Sequence, residues 1–224
     1  MRTALIAGAS GLVGSYVLEH TLADPYYASV TVITRKPISK IHPNFRQILV
    51  NFDELDSLDP EIFAVTDVFS CLGTTTLSRA GDPTPYRRIE VDYPSKVAAK
   101  ALAAGAKSVH YVSAIGSSSK SLLPYSKMKG DAEDALRKLQ AQYPESHVAA
   151  YRPSFIKGPR KEVRLLEEFT LPIWSVLGLA MFGPLRRFKV IHAETIAMAM
   201  IRQSSAKPGF FIIENEEIER LGSI

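Results

Sequence analysis

Short apolar, mostly β-branched runs alternate along this chain with longer stretches whose apolar positions recur every three or four residues. The runs are TALIAG (3–8), SVTVIT (29–34), RQILV (46–50), TDVFSCL (66–72), SVHYVSA (108–114), SHVAAYRP (146–153) and GFFIIE (209–214). They are apolar almost throughout rather than at every second position, which predicts strands covered on both faces, as in a parallel sheet. Helices are expected near 12–22, 89–105 and 125–141, the second closed by Gly105 as its C-cap. Strand and helix in regular alternation predict a doubly wound α/β fold. From about residue 157 the rhythm fades. A single domain over 1–224 is expected, with 157–207 contributing a small C-terminal substrate lobe. Within that stretch LPIWSVLGLAMFGP (171–184) is shorter than the ~20 residues a membrane-spanning helix needs, so it reads as a cleft-covering helix and no transmembrane segment is expected. ETIAMAMI (194–201) reads as a helix with a core-facing stripe.

The first run ends in GASGLVG, with Gly8, Gly11 and Gly14 between a strand and a helix. Glycines there allow a tight turn and let backbone N–H groups approach a pyrophosphate at the helix N-terminus, with Ser10 and Leu12 in the same turn. The doubly wound sheet is therefore expected to be a Rossmann fold that binds a dinucleotide. Cofactor identity is decided at the end of the second strand. An NAD site usually carries an acid there for the ribose 2′-hydroxyl, whereas an NADP site supplies cations for a 2′-phosphate. No Asp or Glu lies between Ser29 and Lys40, and Arg35 and Lys36 offer two positive charges. NADPH is expected over NADH.

Composition narrows the classes. Of the 224 residues 46% are hydrophobic and 22% charged, ordinary for a globular protein. A net charge of +4, with local clusters at PRKEVR and LRRFK, is too mild to argue for nucleic acid. Cys71 is the one cysteine, which excludes an internal disulfide and points to a reducing cytoplasm. The N-terminus shows no secretory pattern. The five histidines are spread without the spacing of a metal site, so no metal is expected.

GASGLVG at the start, VSAIGSSSKSLLPYSKMKGDAE in the middle and YRPSFIKGPR after the sixth strand resemble the atypical branch of the short-chain dehydrogenase/reductase superfamily. FSCLGTT and the middle segment are similar to the Tat-interacting-protein-like oxidoreductases, relatives of the NmrA-like proteins. The resemblance implies a catalytic set of Tyr125 as proton donor, Lys129 four residues on and Ser113 at the end of the fifth strand. In such enzymes the lysine holds the nicotinamide ribose and acidifies the tyrosine, and the serine steadies the carbonyl oxygen. The chemistry is consistent, because a phenol of ordinary pKa near 10 is a poor acid at neutrality without a nearby cation. The resemblance also implies cofactor contacts from Asn51 and Phe52 after the third strand, from Cys71, Leu72, Gly73 and Thr74 below the cofactor, and from Arg152 and Pro153 near the nicotinamide. Asn51 replaces an aspartate frequent in the family, with Asp53 as a possible substitute, and Ala114 stands where some relatives carry a second serine. No residue is recognised for the asparagine that completes the catalytic group of longer-known members.

These readings predict an NADPH-dependent oxidoreductase reducing a small carbonyl-type substrate. A nucleotide-sensing regulator without turnover is the alternative, and a peripheral protein binding an anionic surface through its basic clusters is a third. A small-molecule substrate is the expected partner, with no nucleic acid, in a monomer or homodimer.

Overall fold

The computed structural model describes residues 1–74, 84–158 and 189–223. Seven strands form one parallel sheet: β1 (Arg2–Ala7), β2 (Tyr27–Thr34), β3 (Phe45–Leu49), β4 (Asp67–Ser70), β5 (Ser108–Val112), β6 (His147–Arg152) and β9 (Gly209–Glu214), in the order β3-β2-β1-β4-β5-β6-β9. All six pairings are parallel. Two two-residue strands, β7 (Ile156–Lys157) and β8 (Ile191–His192), pair separately.

The expected strands are thus present, and in the central ones the all-apolar character has the anticipated cause, whereas the edge strand β3 is only partly covered, with Arg46 and Leu49 exposed. Along β1, Ala4 and Ile6 enter one core while Leu5 and Ala7 enter the other. The first core packs the sheet against α1 (Leu12–Ala23) and α5 (Ala193–Arg202), the second against α3 (Tyr93–Ala103) and α4 (Pro124–Gln142). Each fully covered Val, Ile or Leu contributes about 1.5–3 kcal/mol of transfer free energy, so both faces drive the fold. Gly105 lies just beyond α3 with φ +93°, as its C-cap role requires.

The helix expected over 89–105 starts earlier and changes pitch. A short α2 (Thr84–Arg87) opens into a wide π turn over Arg88–Asp92 before α3. The ETIAMAMI stripe is α5, whose Ile196, Ala197 and Met200 are buried in the main core beside α1. Residues 193–202 of the expected lobe therefore pack in the core of the sheet, while 159–188, with the 171–184 apolar run, lie outside the described residues. A final helix, α6 (Asn215–Gly222), was not anticipated; it packs so tightly on α5 that a Cβ on Gly222 would lie 1.9 Å from the Thr195 carbonyl oxygen.

The strand order reverses direction between β1 and β4. In open α/β sheets the crevice beyond the carboxyl ends of two such strands is the ligand site.

Candidate functional site

The crevice is built by Gly8, which follows β1, and Cys71, which follows β4. Cys71 N–H donates to the Ala7 carbonyl at 2.8 Å, extending the pairing one residue past the strands. Gly8 has φ +89°, and a Cβ there would lie 2.5 Å from the Cys71 carbonyl oxygen. Any side chain would be strained and would fill the crevice floor. Gly14 has a different task, since its Cβ would fall 2.2 Å from the Gly8 carbonyl and push α1 off the turn. Gly11 caps α1 in an extended conformation with no side chain over the helix N-terminus, which leaves the first N–H groups toward the cleft.

Gly8, Ser10 and Gly11 line one wall of this cleft, Thr34, Arg35 and Phe52 the second, and Cys71, Leu72 and Gly73 the floor. Leu12, Lys36, Asn51 and Thr74 flank it without lining it. Arg35 is exposed at the rim and pairs with no carboxylate among the described residues. Asn51 is committed elsewhere: its Oδ1 accepts from Asp53 N–H at 3.1 Å and its Nδ2 donates to Glu54 Oε1, capping a 3-10 turn over Phe52–Ser57. Asp53 accepts from the Tyr93 hydroxyl at 2.7 Å and pairs with Arg88, so it too is occupied. The Cys71 thiol is pushed up to about 12 by burial, with Lys129 acting the other way, and is no nucleophile. A larger hollow lined by Leu102, Lys107 and Tyr143 lies beyond the opposite ends of the strands and contains none of these residues.

The Tyr-x-x-x-Lys pair opens α4. Pro124 occupies its first turn, Tyr125 follows and is 42% exposed, and Lys129 is buried one turn later. Gly130 lets α4 touch the preceding loop, because a Cβ there would lie 2.2 Å from Ser118 and Ser119 backbone atoms. Lys129 Nζ donates to the Val112 carbonyl at 2.9 Å, sits 4.7 Å from the Tyr111 ring centroid and pairs with Glu90 Oε2 at 2.8 Å. Burial works against its charge, but Tyr111, Glu90 and Tyr125 together hold the ammonium above the ordinary lysine range.

Ser113 stands apart from this picture. Its side chain is buried, and its hydroxyl donates to Glu133 Oε1 at 2.5 Å and lies 3.1 Å from Ser117 Oγ. Glu133 in turn holds Arg152 through two bonds of 2.9 and 2.6 Å, and Arg152 also reaches Glu214 and the Ser117 carbonyl. Arg152 thus clamps α4, β6 and β9 behind the site instead of standing free for a nicotinamide, and its charge is reinforced first by the Glu133 hydrogen bonds. The Pro153 carbonyl accepts from Ile115 N–H at 2.9 Å, locking the loop after β5 beside the chain leaving β6.

Glu90 is the residue that sequence reasoning missed. It lies in the π turn, 1% exposed, on the same stripe as Val97, Ala98 and Ala101. That position was the available signal, since a carboxylate on an apolar stripe requires a buried partner.

An all-parallel doubly wound sheet, a glycine turn at its crevice and a Tyr-x-x-x-Lys helix beside it define the class: a Rossmann-fold protein of the atypical short-chain dehydrogenase/reductase superfamily. The chain belongs to the NAD dependent epimerase/dehydratase family, which it matches over residues 4–203. It is 31% identical over 206 residues to the protein fmp52-1, mitochondrial, of Aspergillus terreus, covering 90% of this chain and 86% of that one. It is 29% identical over 233 residues to the protein HTATIP2 of Rattus norvegicus, covering 99% and 89%. In structure it is similar to the Bordetella bronchiseptica enzyme WbmF in complex with NAD+ (TM-score 0.71, 20% identity, 99% and 76% covered). It is also similar to MoeE5 in complex with UDP-glucose and NAD (TM-score 0.68, 18% identity, 99% and 81% covered). At those identities the two structures establish the fold alone.

Relatives named as mitochondrial overturn the cytoplasmic expectation. A single cysteine excludes an internal disulfide but does not distinguish one reducing compartment from another.

Proposed function

We propose that this chain is an NADPH-dependent oxidoreductase that reduces a small carbonyl-type substrate, with Tyr125 as proton donor. The observation that carries this reading is a buried, charged Lys129 one helical turn beyond a solvent-facing Tyr125. The cleft fits a dinucleotide. Gly8 leaves room that any side chain would fill, the open α1 N-terminus suits a pyrophosphate, and Arg35 is an exposed guanidinium suited to a 2′-phosphate. When bound, the nicotinamide would supply the hydride. Tyr125 would give its phenolic proton to the substrate oxygen, and the Lys129 ammonium would favour the resulting phenolate while binding the cofactor ribose. Leu122 and Leu123, exposed just ahead of α4, together with Phe155, favour an apolar carbonyl compound.

The second reading, a nucleotide sensor without turnover, is favoured by one observation. Ser113 has its hydroxyl proton on Glu133, and the next residue, Ala114, has no hydroxyl to offer.

Titrating the chain with NADPH and NADH, then screening carbonyl and quinone substrates with Tyr125→Phe as control, decides between them. Tighter NADPH binding with turnover lost by at least about a hundredfold in the Phe variant is expected. A Phe variant as active as the parent overturns the proton-donor role. Tight NADPH binding with no substrate found in a broad screen favours the sensor.

A further inference from the structure

Apart from the glycine turn, the most unusual feature near the cleft is a carboxylate buried where the lysine has to act. Glu90 and Lys129 are 1% and 3% exposed and 2.8 Å apart. The second Glu90 oxygen accepts from Thr74 N–H at 2.7 Å, and Gly73 backs onto both oxygens, since a Cβ there would lie 3.7 and 3.8 Å from them. One side chain thus pairs with the lysine through one oxygen and holds Thr74, the residue that follows the floor of the cleft, with the other.

The backbone is adapted to this reach. Arg88–Asp92 form a π turn inside an otherwise α-helical stretch, and such turns recur at functional sites because they re-aim a side chain at the expense of regular hydrogen bonding. The Tyr111 hydroxyl donates to the Glu90 carbonyl at 3.1 Å, fixing the turn to β5. Stability alone gives little reason for the arrangement, because a buried ion pair is commonly matched or exceeded by apolar residues of the same volume. A lysine that must stay both charged and fixed is a sufficient reason.

We propose that Glu90 is a positioning residue: it is the counter-ion that keeps Lys129 charged and aimed, and through the Thr74 N–H it ties that lysine to the chain leaving the Cys71–Gly73 floor, so that nucleotide binding and lysine charge depend on one carboxylate. The proposal rests on the cofactor reading above. The titratable groups facing the pair are Tyr111 from β5, Tyr125 from α4 and Cys71 from the floor; Glu133, one turn further along α4, is occupied by Arg152. Burial pushes the Tyr111 phenol up as it does the Cys71 thiol, so both stay neutral near pH 7 and cannot replace the carboxylate. Without Glu90 the buried ammonium faces its desolvation with a carbonyl and the ring of a neutral Tyr111 for company, and it should release its proton more readily.

The test is Glu90→Gln, which keeps the shape and removes the charge. The NADPH dissociation constant is measured from pH 6 to pH 10 beside the unchanged protein and Lys129→Met. The unchanged protein should vary less than about twofold through Lys129, whereas Glu90→Gln should lose tenfold or more as pH rises and Lys129→Met should be weak throughout without that inflection. A Glu90→Gln curve that overlays the unchanged protein overturns the proposal, as does uniform weakening with no new pH dependence. If the unchanged protein binds neither NADPH nor NADH, the cofactor reading fails, and the pairing is then judged by thermal unfolding. Glu90→Gln and Lys129→Met should each lower Tm, and the double variant should regain part of the combined loss; strictly additive losses overturn the pairing. Should Glu90→Gln alone not fold, the double variant decides: folding supports the pairing, and failure to fold overturns it.

Discussion

Ser113 and Glu90 show what a single residue's letter does and does not reveal. The place of Ser113 at the end of β5 was legible from the apolar run 108–114 and the family resemblance, but its partner was not, because Glu133 comes from another element and is itself fixed by Arg152. Ser113→Ala should therefore cost stability before rate. Removing a buried donor from a carboxylate costs about 1–3 kcal/mol, which urea unfolding would read as a lowered midpoint at unchanged slope. A variant of undiminished stability that has lost a hundredfold or more in turnover would return the serine to the catalytic group. The glycine turn was legible for the opposite reason: the positive φ of Gly8 and the close approach of Gly14 to the Gly8 carbonyl lie within one short stretch.

Among elements, those with a strong period were readable and those that change period were not. The seven strands stood out as apolar runs, and α4 as an amphipathic stretch. The π turn left no trace, since a local change of pitch over five residues is smaller than the window a periodicity needs. The paired two-residue strands and the 3-10 turn capped by Asn51 are likewise too short, and they exist because tertiary neighbours supply their partners. At this scale Gly130 is the sharpest test. It sits in the interior of α4, where alanine ordinarily strengthens a helix by ~0.5–1 kcal/mol. Here the added methyl meets Ser118 and Ser119 backbone at 2.2 Å. Gly130→Ala should thus destabilise by roughly 1–3 kcal/mol and lower Tm by several degrees. A raised Tm would show that the loop after β5 yields easily and that α4 is not held by it.

The whole molecule carries a chain of buried polar contacts across the sheet. Arg2 pairs with Asp67, Ser108 donates to Asp67 at 2.6 Å, and His110 bridges Ser108 and the Tyr151 hydroxyl at 2.9 Å each, so β1, β4, β5 and β6 are all joined. Burial first, then His147 and Arg2, hold His110 well below the ordinary histidine range, and burial lowers His147 as well. Both are therefore neutral in the folded chain, while the unfolded chain titrates near ~6.5. Stability from this source is fully present above that value and declines as pH falls below it, by up to about 1.4 kcal/mol per pH unit for each histidine. Urea unfolding at pH 7 and pH 5.5 should show a loss of roughly 1–3 kcal/mol, in a range above the titration of ordinary carboxylates. Equal stability at the two values would mean that the pair is reached by water and protonated without unfolding.

The pairing of β9 along β6, and of α5 against α1, also sets an order of events during synthesis. By the time Arg152 leaves the ribosome, β1 to β6 and the glycine crevice between β1 and β4 are complete. The strand that closes the outer edge begins only at Gly209. At about 5–20 residues per second that edge stays open for roughly three to ten seconds, with its backbone donors and acceptors bare and the far side of α1 uncovered. The nucleotide crevice is finished first and the sheet last, so a dinucleotide captured by the nascent chain would stabilise it during the interval when it is most prone to pair with a neighbour.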